Sequence, residues 1–361
     1  MLHYGLSRSA TRAGRWLVQS GIQEAGGGVA RYYRSDTARN HAVSTEITGY
    51  AVSAFVYLHT LAREPQYLEA ALAAGRFLTG TAWDGAARAL PFELDPPRRA
   101  YFFDSGIVAR GLLSAWRVTG EDEFLETAVA VGESMADAFA AGGGEYHPIL
   151  ELPEKIPAPR EECRWSTMPG CYQLKAAMAW HDLAEAGVGD RFSELYGQAL
   201  DAALRTADGF LSGPQDPLRV MDRLHAFLYF LEGLLPRAGE ERYAAVMRRG
   251  MTEVARLLRE IAPRFERSDV HAQLLRLRLY ADWAGAAPLD REAAEWEAGK
   301  LAGFQIADSD PRIDGGFCFG RKDGASMPFV NPVSTAFGLQ ALALWERCRG
   351  GVAQPHRHLL I

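Results

Sequence analysis

Hydrophobic positions fall into two kinds of segment that take turns along the chain. The stretch Thr45–Leu58 is apolar on nearly every side, and its polar residues Thr45, Glu46, Thr48 and Tyr50 gather in the first turn and a half. A helix without a polar face is buried all round. The stretch Glu121–Ala140 differs: Glu121, Asp122, Glu123, Glu126, Glu133 and Asp137 form a charged stripe, as on a helix exposed along one side. The 3.6-residue period predicts twelve helices. They cover Ser7–Gln19, Thr45–Leu61, Gln66–Leu78, Asp104–Val118, Glu121–Ala140, Pro169–Glu185, Arg191–Leu211, Leu218–Leu235, Glu240–Ile261, Asp269–Trp283, Asp290–Phe304 and Asn331–Cys348. Even-numbered segments are apolar nearly all round, and odd-numbered ones carry the stripe.

Connections alternate too. After an even segment the turn is brief, as at Thr119-Gly120 or Ala186–Asp190. After an odd one it is usually long and Gly-rich, as at Gly26-Gly27-Gly28, Gly142-Gly143-Gly144 and Gly315-Gly316, and long loops are normally functional. Six antiparallel hairpins of this kind predict an all-α fold, an (α/α)6 toroid with the apolar helices inside. All inner helices then run the same way, and their N-termini share one mouth. One toroid is expected over residues 1–349, with a flexible tail over 350–361. Small β-hairpins are expected around the mouth, for example at Arg88–Leu94.

Composition narrows the choice of partner. With 361 residues, 48% hydrophobic and 23% charged, there is ample material for a core. A net charge of −6 and no basic tract make nucleic acid a poor partner and remove a polybasic membrane patch. The first residues lack the apolar region of a signal peptide, and no apolar run is long enough to span a bilayer, so a cytoplasmic location is expected. Cys163, Cys171, Cys318 and Cys348 show no CxxC spacing and fit reduced thiols better than a zinc site or a disulfide framework. No metal and no cofactor is expected.

If the inner helices converge, their opening residues meet. These include Glu46 and Tyr50, Tyr101 with Asp104, Arg164-Trp165, Arg223 with His225, His271 with Gln273, and Asn331, reached by a loop carrying Asp314. Aromatic rings stack on sugar faces and paired acids do acid–base work. Six positive helix ends favour an anionic ligand, and Arg164 and Arg223 offer a fork for a carboxylate. Glu46, Asp104 and His225 are the catalytic candidates; Tyr50, Tyr101, Arg164, Trp165, Arg223, His271, Gln273, Asp314 and Asn331 are the substrate-binding ones. Plain structural roles compete with these. Capping alone accounts for Asp269 and Asn331, the helix dipole favours Glu46, and His225 sits among apolar neighbours as a core histidine would.

The run Thr45–Tyr50, Pro169-Gly170-Cys171, Leu224–Leu234 and Asp269–Gln273 followed by Arg276 resemble bacterial proteins of the six-hairpin glycosidase-like superfamily associated with polysaccharides. That superfamily includes glucuronyl hydrolases, N-acylglucosamine 2-epimerases, uronate lyases and glucuronyl C5-epimerases. The resemblance implies the toroid. It leaves hydrolase, lyase and epimerase open. Gly315-Gly316-Phe317 before Ser334–Leu342 also resembles repeats of terpene cyclases and prenyltransferases, but there is no DxDD, no DDxxD and no recognisable zinc set. The expectation is a carbohydrate-active enzyme that works on an acidic sugar without metal. A non-catalytic glycan-binding protein of polysaccharide export and a cyclase-like enzyme are the rivals.

Overall fold

In the computed structural model, the described residues are 6–161, 164–212, 216–262, 264–352 and 356–361. Cys163 and the first five residues, on which the expectations about thiols and a leader partly rest, lie outside them.

Twelve α-helices make the body: α1 (Arg8–Gln19), α2 (Thr45–Ala62), α3 (Pro65–Arg76), α4 (Phe102–Thr119), α5 (Asp122–Ala138), α6 (Leu174–Glu185), α7 (Asp190–Ala207), α8 (Pro217–Gly233), α9 (Glu241–Ile261), α10 (Ser268–Trp283), α11 (Arg291–Ala302) and α12 (Pro332–Arg349). The even helices pack side by side in a closed ring, α2 to α4, α6, α8, α10, α12 and back to α2. Each odd helix lies outside its even neighbour, and α1 closes the outer ring against α12. This is the (α/α)6 toroid. Local chemistry starts and stops the helices. Asn331 caps α12 by accepting from the Ser334 N–H, with Pro332 in the first turn, and Asp216 and Pro217 do the same for α8. Arg63 and Gly120, both in the left-handed region, end α2 and α4 and allow the short turns.

Small residues let the inner helices approach. A Cβ on Gly106 would sit 2.4 Å from the Ala176 carbonyl oxygen, and one on Gly111 would sit 2.5 Å from that of Gly49. Both obstacles are backbone and cannot swing aside.

Short antiparallel sheets stitch the mouth. Tyr33–Arg34 pairs with Arg39–Asn40 and Phe329–Val330, Arg99–Tyr101 with Ile149–Glu151, and Phe265–Arg267 with Gly320–Lys322. Each joins loops that feed different inner helices. Arg88–Leu94 is not a hairpin; Ala89 makes only an isolated bridge with Asp84, and Phe92 turns its backbone to Thr45 and Arg99. Helix α6 begins five residues later than expected, because Met168–Gly170 is extended and Cys171–Gln173 is a single 3-10 turn. The expected flexible tail is also corrected: Leu360 and Ile361 are buried in the ring, at the end away from the mouth. Among the described residues, no helix is long and apolar enough to cross a membrane.

We expect Gly106→Ala to lower unfolding free energy by about 1–3 kcal/mol, the usual cost of overpacking, in urea denaturation followed by circular dichroism. An unchanged midpoint would mean that α4 and α6 are less tightly apposed than described.

Candidate active site

The site is built on one contact across the ring. Helices α2 and α8 stand opposite each other, and the Tyr50 hydroxyl donates to the Tyr229 hydroxyl at 3.1 Å. One helical turn nearer the mouth come Glu46 on α2 and His225 on α8. Residues four apart share a helix face, so these two look across the axis above the tyrosine bridge. Asp104, in the first turn of the neighbouring helix α4, joins them. All three line one cavity of about 800 Å³, with Tyr229 in its floor.

Its electrostatics follow from dryness. Burial pushes the Glu46 carboxyl up to about 7, against the pull of the Arg31 guanidinium. Burial, then the charge of Glu46, holds the Asp104 carboxyl well above the ordinary carboxylate range, and its Oδ2 is buried without a hydrogen-bond partner. Two acids that oppose each other's ionisation are not both charged near neutrality.

On the opposite wall, burial and then Arg267 bring His225 down to about 4, although Asp269 pulls the other way. Nδ1 lies 2.6 Å from Gln273 Oε1. That oxygen can only accept, which assigns the ring proton to Nδ1 and leaves the Nε2 lone pair to the cavity. Arg267 holds the histidine's surroundings in place. It donates to both oxygens of Asp269, at 3.0 and 2.6 Å, and to Asp222 at 2.6 Å.

The wider lining is cationic and aromatic. Arg31 lies over Phe92 and pairs with Glu93; Arg164 pairs with Glu161; Arg219 and Arg223 stand on the first turns of α8. The Phe103 ring meets Tyr229 at 4.6 Å and Trp165 meets Tyr172 at 4.9 Å.

Of the expected binding residues, Tyr101, Arg164, Trp165 and Arg223 line the cavity. Arg223 also donates to the Phe210 and Ser212 carbonyls, so it is partly committed. Tyr50 lies under the floor, T-shaped against Phe337. Gln273 stands behind His225 as its acceptor. Three expectations are corrected. His271 turns outward from α10 and is buried beside Trp296 and Phe304, near Glu266. Asp314 is tied to Arg12 at the outer face of α1. Asn331 spends its side-chain oxygen on the α12 cap. Arg31, Arg219, Arg267, Tyr172 and Tyr229 complete the cavity beyond the residues expected to bind. Arg267 stands directly before the opening of α10, as Arg164 stands before α6, and that position was its signal. Arg31 lies in an approach loop held by backbone hydrogen bonds to Ala42 and, at Ala30, to Ile22, and by the sheet with Arg39–Asn40 and Phe329–Val330. Among the described residues, no three His, Cys, Asp or Glu side chains are grouped to hold a metal ion.

Solved structures share this fold. The chain is similar to the cellobiose 2-epimerase from Bacillus thermoamylovorans B4167, with 14% identity, a TM-score of 0.68, and coverage of 92% of this chain and 95% of that one. It is similar to a D-mannose isomerase, with 9% identity, a TM-score of 0.69, and coverage of 95% and 98%. It is also similar to an unsaturated glucuronyl hydrolase specific for heparin, with 9% identity, a TM-score of 0.67, and coverage of 95% and 97%. No family model and no curated protein matches the sequence.

The raised acid gives a stability test. Glu46 is ionised in the unfolded chain above about 4.5 and takes up a proton on folding until about 7. The unfolded state therefore binds fewer protons over this window, and stability falls as pH rises through it. Glu46→Gln removes that loss. We expect the variant to gain on the wild type, by on the order of 1–3 kcal/mol, between pH 4.5 and 7.5 in denaturant titrations. A difference independent of pH would mean an ordinary carboxylate.

Proposed function

We propose that this chain is a carbohydrate-active enzyme that performs acid–base chemistry on an acidic sugar. The observation that carries the reading is the pair of acids Glu46 and Asp104, both raised above the ordinary carboxylate range, lining one arginine-rich cavity with His225. With one proton held by the pair, the cavity's arginines outnumber its charged acids, which suits a carboxylated or otherwise anionic sugar. The volume exceeds that of one sugar ring, and Trp165, Phe103 and Tyr101 offer faces for stacking.

Glu46, ionised once the pair has lost its first proton, is the base, and its value near neutrality suits that task. Asp104 keeps its proton and serves as donor. On the far wall the neutral His225 Nε2 accepts from a sugar hydroxyl. Tyr229 accepts from Tyr50, so its own proton is free for the ligand. Removal of the proton beside the sugar carboxylate by Glu46, with the Asp104 proton passing to the leaving oxygen on the same wall, is elimination; return of a proton to that carbon from Tyr229 on the opposite helix, while Glu46 keeps the one it took and water reprotonates the tyrosine, is epimerisation. Hydrolysis is the second reading. It is favoured by the close coupling of two carboxyl groups, yet a glycosidase sets its acids on either side of the scissile bond, while these share one wall. The solved toroids named above act on sugars, which supports a sugar as ligand.

The test is turnover of uronate-containing oligosaccharides in deuterium oxide. We expect a bell-shaped rate profile and a product that carries either one solvent deuteron at the carbon beside the carboxylate, the mark of epimerisation, or a new double bond at that carbon seen by ultraviolet absorbance, the mark of elimination. Glu46→Gln, Asp104→Asn and His225→Gln should each lower kcat by about 10²-fold or more. Folded variants as active as the wild type would remove the mechanism. Product with neither the deuteron nor the double bond would move the reading to hydrolysis.

A further inference from the structure

The end of the ring away from the mouth holds a second polar centre, which the proposed chemistry does not use. Lys175 on α6, Glu232 on α8 and Arg276 on α10 are all fully buried. Lys175 Nζ donates to Glu232 Oε2 at 2.9 Å and Arg276 Nη2 to Glu232 Oε1 at 2.6 Å. Two cations around one carboxylate leave surplus donors in a dry interior, where unpaired charge is costly. The Ile361 carbonyl takes one donor from each, at 3.1 Å from Lys175 and 3.1 Å from Arg276.

The rest of that segment is bound through its backbone as well. Arg110 donates to the Leu360 carbonyl at 3.0 Å, and Gln340 Nε2 to the Leu359 carbonyl at 2.7 Å. The Ile361 N–H donates back to Gln340 Oε1 at 3.1 Å. Arg357 clamps the entrance, with Nη1 2.8 Å from Asp182 Oδ1 and Nη2 2.5 Å from Glu185. Leu360 and Ile361 are each 1% exposed. Helices α4, α6, α10 and α12 thus each hold the segment, a single 3-10 turn at Arg357–Leu359 followed by Leu360 and Ile361, by polar side chains on its backbone, which is how proteins bind a peptide and not how a surface merely covers a loose end.

From this geometry we infer that the base of the toroid is a peptide-binding socket whose occupant is the segment Arg357–Ile361, and that this occupant takes one donor from each of Lys175 and Arg276. The socket recognises three main-chain oxygens and one N–H, branched aliphatic side chains beside them, and an arginine at the entrance. It lies below the tyrosine floor and is independent of what the mouth binds.

Hydrogen exchange on the full chain tests this, read on the fragment covering residues 356–361. We expect slow exchange in the native protein, and about 10-fold or faster exchange in Gln340→Ala and Arg357→Ala, with the inner helices still protected. A chain ending at His356 should then bind a fluorescent Arg-His-Leu-Leu-Ile peptide saturably, with a rise in Tm. The same peptide ending in Asp-Asp should not bind. Native-state exchange as fast as that of an unstructured peptide would overturn the inference. So would a folded shortened chain that binds no peptide. If the shortened chain does not fold, exchange in the two full-length variants decides.

Discussion

Desolvation of two carboxyl groups is the constraint around which this protein is arranged. Glu46 and Asp104 open two neighbouring helices that have no wet face, and there Asp104 is buried and Glu46 half-buried in the cavity wall. An ionised carboxylate there is expensive, and one beside another is more so. Arg31 opposes this at both acids, and a backbone hydrogen bond does so at Asp104. The outcome is a proton kept where a bound ligand can meet it. On the opposite wall burial works with the other sign and keeps His225 uncharged. The same dryness therefore prepares a proton donor on one side and a free imidazole lone pair on the other.

The toroid makes this possible because its inner helices all point their N-termini one way. Glycines at the crossings of α2 with α4 and α4 with α6 bring those helices close enough for Glu46 and Asp104 to feel each other. The Tyr50–Tyr229 bridge fixes the depth at which the cavity stops. Beneath it the ring is closed by a different device, a strand of chain held by buried cations. Polar groups thus occupy the axis at two levels, with aromatic rings between them: Tyr50, Tyr229 and Phe337.

Much of the fold was legible, because burial leaves a plain trace in helix periodicity. The apolar run after Glu46 could only be an inner helix, and the glutamate stripe of α5 could only face outward. Glu46 and Asp104 could be placed in one mouth for the same reason: both open inner helices. What periodicity cannot tell is which way a side chain turns about its helix. His271 lies in the first turn of α10 as Asp104 does in that of α4, yet it faces the outer layer. Nor does a polar residue at a helix start reveal whether it faces a ligand or its own backbone, and Asn331 does the latter. Arg31 was missed because its place depends on pairing with strands some three hundred residues away in the chain. The final residues read as a loose end since His356, Arg357 and His358 are polar, and nothing local shows that the chain re-enters the ring after them.

The most direct measurement is a carbon-13 NMR titration of the side-chain carboxyl groups, with Glu46 and Asp104 assigned through Glu46→Gln and Asp104→Asn. The account predicts that Glu46 titrates near 7, that Asp104 titrates above the ordinary aspartate range, and that each falls when the other is neutralised. Two independent titrations at ordinary carboxylate values, unmoved by the partner's replacement, would contradict it.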